Sequence, residues 1–272
     1  MLRSMSRLLL VPVLIYIGIT GWMLAFEDRH IYFPDAVMLH TPADAGLPFT
    51  QHRFDTPDGV SLYAWWMPAP GSRYAVLHFH GNMGNISHRL HLYKRWHTMG
   101  LSVFAVEYRG FGKSSGQPSE DGLYEDARAG WRYLTGMLGI PPAQVIIVGR
   151  SLGCAIAADL AGRVRPAGTV LETPFTSIPD MAGYIYPWLP LSLLARTQLN
   201  TLAKVRNVHH PLLLINARDD RVVPPAMTED IFAAAHEPKT LRTLAGGHNN
   251  FDTVSEKAYF KVWEKWLATI PE

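Results

Sequence analysis

The chain has 272 residues and a single cysteine, Cys154, so no internal disulfide can form. Cys154 falls in an alanine-rich run, where a small buried thiol is expected rather than a redox group. Charge is also scarce. Asp, Glu, Lys and Arg make up 18% of the residues and the net charge is +2. No Lys/Arg run carries interleaved aromatics, so the footprint of a nucleic-acid binder is missing. The 12 histidines form no carboxylate-histidine cluster with metal spacing. His78 and His80 alternate along one strand, and a buried strand face with His80 bonding the next loop is expected there instead of metal ligation. Neither a metal nor a cofactor is expected. The stretch Arg109-Gly110-Phe111-Gly112-Lys113-Ser114-Ser115-Gly116 resembles a phosphate cradle, but no first glycine stands at the required spacing before Gly112-Lys113-Ser114 and no helix opens from it. It reads as a tight structural loop.

What the chain does have is apolar bulk. At 48% hydrophobic it can bury the core of one α/β domain, and a second full domain would be cramped. From Leu8 to Phe26 no residue is charged; Arg3 and Arg7 precede the run and Glu27-Asp28-Arg29-His30 follow it. At about 1.5 Å per residue, such a helix just reaches across a hydrocarbon core of about 30 Å. A cleaved signal peptide would want smaller residues than Trp22-Met23-Leu24-Ala25 at its exit, and an ordinary core helix would carry a polar face. A transmembrane anchor over residues 1–30, with a signal peptide as the alternative, is therefore expected ahead of a domain over 31–272. The basic flank places the N-terminus in the cytoplasm and the domain on the other side, the periplasm in a bacterium.

The domain begins with two strands, Phe49–Asp55 and Val60–Met67, joined through the turn Pro57-Asp58-Gly59. Strands are then expected at Ala75–His80, Leu101–Tyr108, Val145–Gly149, Thr169–Thr173, Leu212–Asn216 and Leu241–Ala245. Helices alternate with them: Arg89 to Met99, Ser119 as cap to about Leu138, Ser151 onward, Pro225–Ala235 and Thr253–Leu267. This alternation predicts a mostly parallel eight-stranded sheet with helices on both faces and a site at the carboxyl ends of its strands.

The site is legible at Gly149-Arg150-Ser151-Leu152-Gly153, where a β-branched run passes into a helix across one serine. Glycines two positions away on either side let strand and helix approach closely, which leaves the hydroxyl at the top of the sheet. A serine needs a base within hydrogen-bond reach, itself oriented by a third group. Two later post-strand loops offer them: Asp219-Asp220 in one and His248 in the next, in the order Ser, Asp, His.

These residues, with His80-Gly81-Asn82-Met83-Gly84-Asn85, Glu107-Tyr108-Arg109-Gly110-Phe111-Gly112, Asp220-Arg221-Val222-Val223-Pro224 and Gly247-His248-Asn249, resemble the membrane-anchored serine hydrolases of the α/β-hydrolase superfamily. The resemblance runs from the anchor to the last helix. It implies Ser151 as nucleophile, His248 as base and Asp220, rather than its neighbour Asp219, as the orienting acid. It also implies an oxyanion hole made by the backbone N–H groups of Asn82 and Leu152.

Between the sixth and seventh strands lie more residues than a crossover helix requires. Prolines alternate there with Phe175, Ile185, Trp188 and other apolar residues, which predicts a small helical cap over about 174–208. Met83, Phe175, Ile185 and Trp188 are the expected substrate contacts. The expected activity is hydrolysis of an ester or thioester with an apolar, lipid-like acyl group. A peptidase or amidase like prolyl oligopeptidase is the alternative within enzymes, and a non-catalytic membrane-tethered binding protein is the alternative outside them.

Overall fold

A computed structural model describes residues 2–271, with side chains from residue 10 onward. Eight strands form one sheet: β1 Thr50–Asp55, β2 Ser61–Met67, β3 Ala75–Phe79, β4 Ser102–Glu107, β5 Val145–Arg150, β6 Gly168–Glu172, β7 Leu212–Ala217 and β8 Lys239–Leu244. Their spatial order is β8-β7-β6-β5-β3-β4-β2-β1. β1 and β2 form an antiparallel hairpin, with Gly59 at φ 82° in its turn, and β2 runs antiparallel to β4. Every other pairing is parallel. β3 to β7 are buried at every residue, because helices cover both faces. Two cores result. One includes Leu77, Phe104, Ile147, Ile156 and Leu214, and the other Trp65, Trp96, Val148, Ile215 and Trp263.

The helices are α1 Leu2–Ala25, α2 Glu27–Ile31, α3 Leu90–Thr98, α4 Glu120–Arg132, α5 Leu152–Ala161, α6 Ile178–Ile185, α7 Leu191–Leu194, α8 Thr201–Lys204, α9 Pro225–Ala234, α10 Phe251–Val254 and α11 Glu256–Leu267. Ser119 caps α4 by accepting the Gly122 N–H at 3.3 Å, and Ser177 caps α6 by accepting from Asp180. The helix expected to run to Leu138 ends at Arg132 and continues as a wider turn over Tyr133–Met137. The expected helix Thr253–Leu267 is broken at Ser255, whose hydroxyl turns back to the Ala245 carbonyl. α6, α7 and α8 form the cap.

The N-terminal run is helical, but among the described residues no helix is long and apolar enough to cross a membrane. Leu8 and Leu9, the start of the expected span, lie outside the residues whose side chains are described. The boundary placed at residue 30 also cuts through α2. Glu27 packs into the domain that follows: its buried carboxylate accepts the backbone N–H of Thr197 at 2.9 Å and of Arg196 at 3.1 Å, and pairs with the Arg196 guanidinium. The Arg196 side chain is 69% exposed, so solvent screens the ion pair and the two backbone bonds carry most of the effect. Glu27→Ala would leave both N–H groups without that acceptor, at a cost of about 2–3 kcal/mol. For a domain of this size, thermal denaturation should show Tm lower by about 5–10 °C.

The C-terminal end of β6 buries Glu172, which bonds the Tyr259 hydroxyl at 2.7 Å and lies 4.0 Å from Arg150. Burial pushes its pKa up to about 7, with Arg150 and Tyr259 only partly opposing. An acid whose pKa is raised on folding loses stability as pH climbs from its unfolded value toward its folded one. Glu172→Gln should therefore gain stability relative to the parent between about pH 4.5 and 7, by up to about 3 kcal/mol. Denaturant melts at pH 5 and pH 8 check this, with the larger gain expected at pH 8.

Candidate active site

Ser151 occupies the single residue between β5 and α5, at φ 53° and ψ −116°, a conformation that side chains other than glycine rarely adopt. The surroundings force it. A Cβ at Gly149 would collide with the Gly153 carbonyl and with Ala157, and a Cβ at Gly153 would collide with the carbonyls of Phe79 and His80. Strand and helix can only meet this closely because both positions lack one. The Ser151 N–H is held by the Glu172 carbonyl at 2.9 Å, and its carbonyl by the Cys154 N–H at 2.9 Å. Cys154 is fully buried behind the turn with its thiol on the carbonyls of Gly149 and Glu172, and burial pushes its pKa up.

From β7 and β8 come the partners. Ser151 Oγ lies 3.0 Å from His248 Nε2, and His248 Nδ1 lies 2.7 Å from Asp220 Oδ2. With Nδ1–H donating to the carboxylate, Nε2 is left to accept the serine proton. The other Asp220 oxygen accepts the N–H groups of Val222 and Val223, both at 2.8 Å, so the carboxylate cannot rotate away. Asp219 does a different job: its carboxylate and N–H both bond Gly246 and tie the two loops together. Arg150 braces the histidine loop from below. Its Nη2 donates to the His248 carbonyl at 3.3 Å and to Asp252 at 3.2 Å, and its guanidinium lies over the Phe251 ring.

The loop after β3 closes the other side. Gly81 packs against the elbow, 3.6 Å from Ser151 Cβ for a Cβ placed there. Beneath it, fully buried His80 donates from Nδ1 to the Gly81 carbonyl at 2.8 Å, and its Nε2 meets Glu107 Oε1 at 2.9 Å. The other oxygen of Glu107 accepts the Ile86 N–H. His78 bonds the Tyr93 hydroxyl at 3.2 Å, and burial holds its pKa well below the usual histidine value. Asn82 is stitched to the segment after α2: its side chain donates to the Ile31 carbonyl and its carbonyl accepts from Phe33.

Ser151, Leu152, His248, Gly81 and Asn82 open into a cavity of about 800 Å³. Met83, Phe175 and Ile185 line it, together with Ile178, Met181 and Leu191 of the cap. Trp188 does not. It lies in the turn between α6 and α7, where Pro187 and Pro190 break the helix, and its side chain is 57% exposed. One wall was missed altogether. Met23, Leu24, Glu27, His30 and Ile31 bring the N-terminal helices to the cavity that Ser151 lines, and no motif marks them. No group of His, Cys, Asp and Glu among the described residues could hold a metal ion.

Residues 70–203 match the family described as serine aminopeptidase, S33. An uncharacterised protein of Mycobacterium tuberculosis is 38% identical over 97% of both chains. The α/β-hydrolase domain-containing protein WAV2 of Arabidopsis thaliana is 31% identical over 78% of this chain and 77% of its own. A lysophosphatidylserine lipase of Danio rerio is 30% identical over 77% of this chain and 64% of its own. In three dimensions the Pyrococcus furiosus esterase Pf2001 superposes with a TM-score of 0.72 over 88% of this chain and 97% of its own, at 21% identity. With these relatives across its length and that fold, the chain belongs to the α/β-hydrolase superfamily.

Proposed function

We propose that this protein is a serine hydrolase that cleaves carboxylic esters or thioesters of apolar acyl groups. The observation that carries the reading is the unbroken chain from Ser151 Oγ through His248 to Asp220, at 3.0 and 2.7 Å, opening into a largely apolar cavity. In this reading Ser151 Oγ attacks the acyl carbonyl carbon as its proton passes to His248 Nε2. The electron pair displaced onto the carbonyl oxygen is received by the N–H groups of Leu152, at the start of α5, and of Asn82. Each such donor supplies about 3 kcal/mol in the transition state. Collapse expels the alcohol or thiol, which takes the proton from His248. Water then repeats the sequence on the acyl-serine and releases the acid. Asp220 keeps the His248 tautomer and stabilises the imidazolium in both halves.

The amide alternative has an observation of its own, since the matching family is described by an aminopeptidase. The cavity favours esters of long acyl groups: Phe175, Ile178, Met181, Ile185 and Leu191 offer an acyl chain apolar contact over its length, whereas among the described residues the lining carboxylates, Glu27 and Asp35, are already engaged by other partners. A non-catalytic scaffold would have no need to hold Asp220 with two backbone bonds.

We also infer that α1 attaches the chain to a membrane. Leu10, Val11, Val13, Leu14, Ile15 and Ile17 are each more than half exposed, which is costly in water and suits lipid. Resistance of the full chain to carbonate extraction is the expected result, and release into the supernatant would refute it.

Asp220→Asn should lower kcat by about 10⁴-fold with little change in KM, while Asp219→Asn should change it less than about tenfold. Among p-nitrophenyl esters, octanoate should be cleaved with a higher kcat/KM than acetate, and both should exceed a matched p-nitroanilide. Preference for acetate would remove the apolar acyl assignment, and a faster anilide would favour the aminopeptidase reading.

A further inference from the structure

The cap has an outer face of unusual composition. From Phe175 to Ala195 only Asp180 carries a charge, and its carboxylate is engaged by the Ser177 hydroxyl at 2.6 Å. Met181, Leu189 and Leu191 of this segment are buried. Tyr184, Ile185, Trp188, Leu193 and Leu194 are exposed, Leu193 by 85%. One short segment thus divides its apolar side chains into a set that holds the cap down and a set left in contact with solvent. Single apolar residues are ordinary on a protein surface, but these five fall between Tyr184 and Leu194 and make a patch.

Two further observations say what covers it. α1 packs against α7, and the Arg196 guanidinium donates to the Leu24 carbonyl at 2.8 Å, so the N-terminal helix leaves the domain beside this patch. Beyond that contact α1 presents the exposed apolar run that includes Leu10, Leu14 and Ile17, and the two apolar surfaces are neighbours. The patch also has the composition of a bilayer interface. The rings of Tyr184 and Trp188 join an apolar body to one polar atom, which suits the level of the headgroups, while Leu193 and Leu194 are wholly apolar. With so little charge, the patch offers a protein partner few groups by which to be oriented, whereas lipid requires none. Ile185 belongs both to the patch and to the cavity wall. Phe33, Met83 and Val222 are likewise exposed and line the cavity, which gives its mouth an apolar rim beside the patch.

We propose that the outer face of the cap rests on a lipid surface, with Trp188, Leu193 and Leu194 among the acyl chains just below the headgroups, so that the cavity containing Ser151 opens toward the bilayer. This rests on the attachment of α1 argued above and adds a second contact, which fixes how the domain faces the membrane. An apolar face of this kind sinks about 5–10 Å into the boundary between headgroups and acyl chains.

Fluorescence quenching by lipid tests the contact in the full-length protein. Cys154 is fully buried, so a cysteine introduced at the surface takes a thiol-reactive NBD label selectively. Leu193→Cys probes the cap. Met137→Cys is the control: Met137 is 73% exposed, and it lies between α4 and β5 at the edge of the sheet opposite the cap. Each labelled protein is reconstituted into phosphatidylcholine vesicles, recovered by flotation, and compared with and without a phosphatidylcholine carrying a nitroxide high on its acyl chain. At the depth expected for the cap, the Leu193 label should lose about half its emission or more and the Met137 label nearly none. No quenching at Leu193 in protein that floats with the vesicles overturns the cap contact and leaves the attachment of α1 intact. A Leu193 label whose emission shifts to the blue without quenching marks a second copy of the chain on the patch, and equal quenching at both sites marks a domain with no fixed face; either overturns the proposal. Protein that does not float overturns both the cap contact and the attachment.

Discussion

The contact on which the rest depends is the approach of β5 to α5 across Ser151. Neither Gly149 nor Gly153 has room for a Cβ, and the backbone between them is driven to φ 53°. A serine in that conformation costs of order 1–3 kcal/mol, so packing on every side must hold it. Glu172 holds its N–H, Gly81 abuts its Cβ, and the buried strands of the central sheet leave no space for relaxation. The turn also aims the first N–H of a buried ten-residue helix at the place where the oxyanion would form. The positions of the Ser151 hydroxyl and of the first N–H of α5 thus follow from one packing constraint.

The other parts reach that point from distant stretches of sequence, and each has its own brace. Asp220 is locked by two backbone bonds, His248 rests on Arg150, and the loop after β3 sits on the buried pair of His80 and Glu107. Arg150 matters twice. It stands directly before the serine in the motif, and through the His248 carbonyl and Asp252 it couples the elbow to the loop that carries His248. Preorganisation of this kind lets fixed dipoles act without reorganising during reaction.

Much of this was legible in the sequence where local chemistry dictates geometry. Two glycines spaced around a serine require close backbone approach, and β-branched runs followed by helical spacing require parallel strands, so the sheet and the post-strand positions of Asp220 and His248 could be read directly. The choice between Asp219 and Asp220 followed from resemblance alone; the structure supplies the physical difference, since one carboxylate faces the histidine and the other closes the loop on Gly246. Trp188 was misplaced because a segment broken by Pro187 and Pro190 has no period from which side-chain direction can be read. The wall formed by Met23, Leu24 and Glu27 was invisible for a related reason: Glu27 finds Arg196 from 169 positions away, and an apolar run that looks like lipid-facing helix does not announce that its end closes the cavity at Ser151.

The central claim is that Ser151 is a nucleophile activated by His248. Reaction of the purified full-length protein with a fluorophosphonate probe tests it most directly, comparing the wild type with Ser151→Ala and His248→Ala. The account predicts labelling of the wild type, none of Ser151→Ala, and strongly slowed labelling of His248→Ala. A folded wild type that stays unlabelled, or a Ser151→Ala variant that labels at the parent rate, would contradict it.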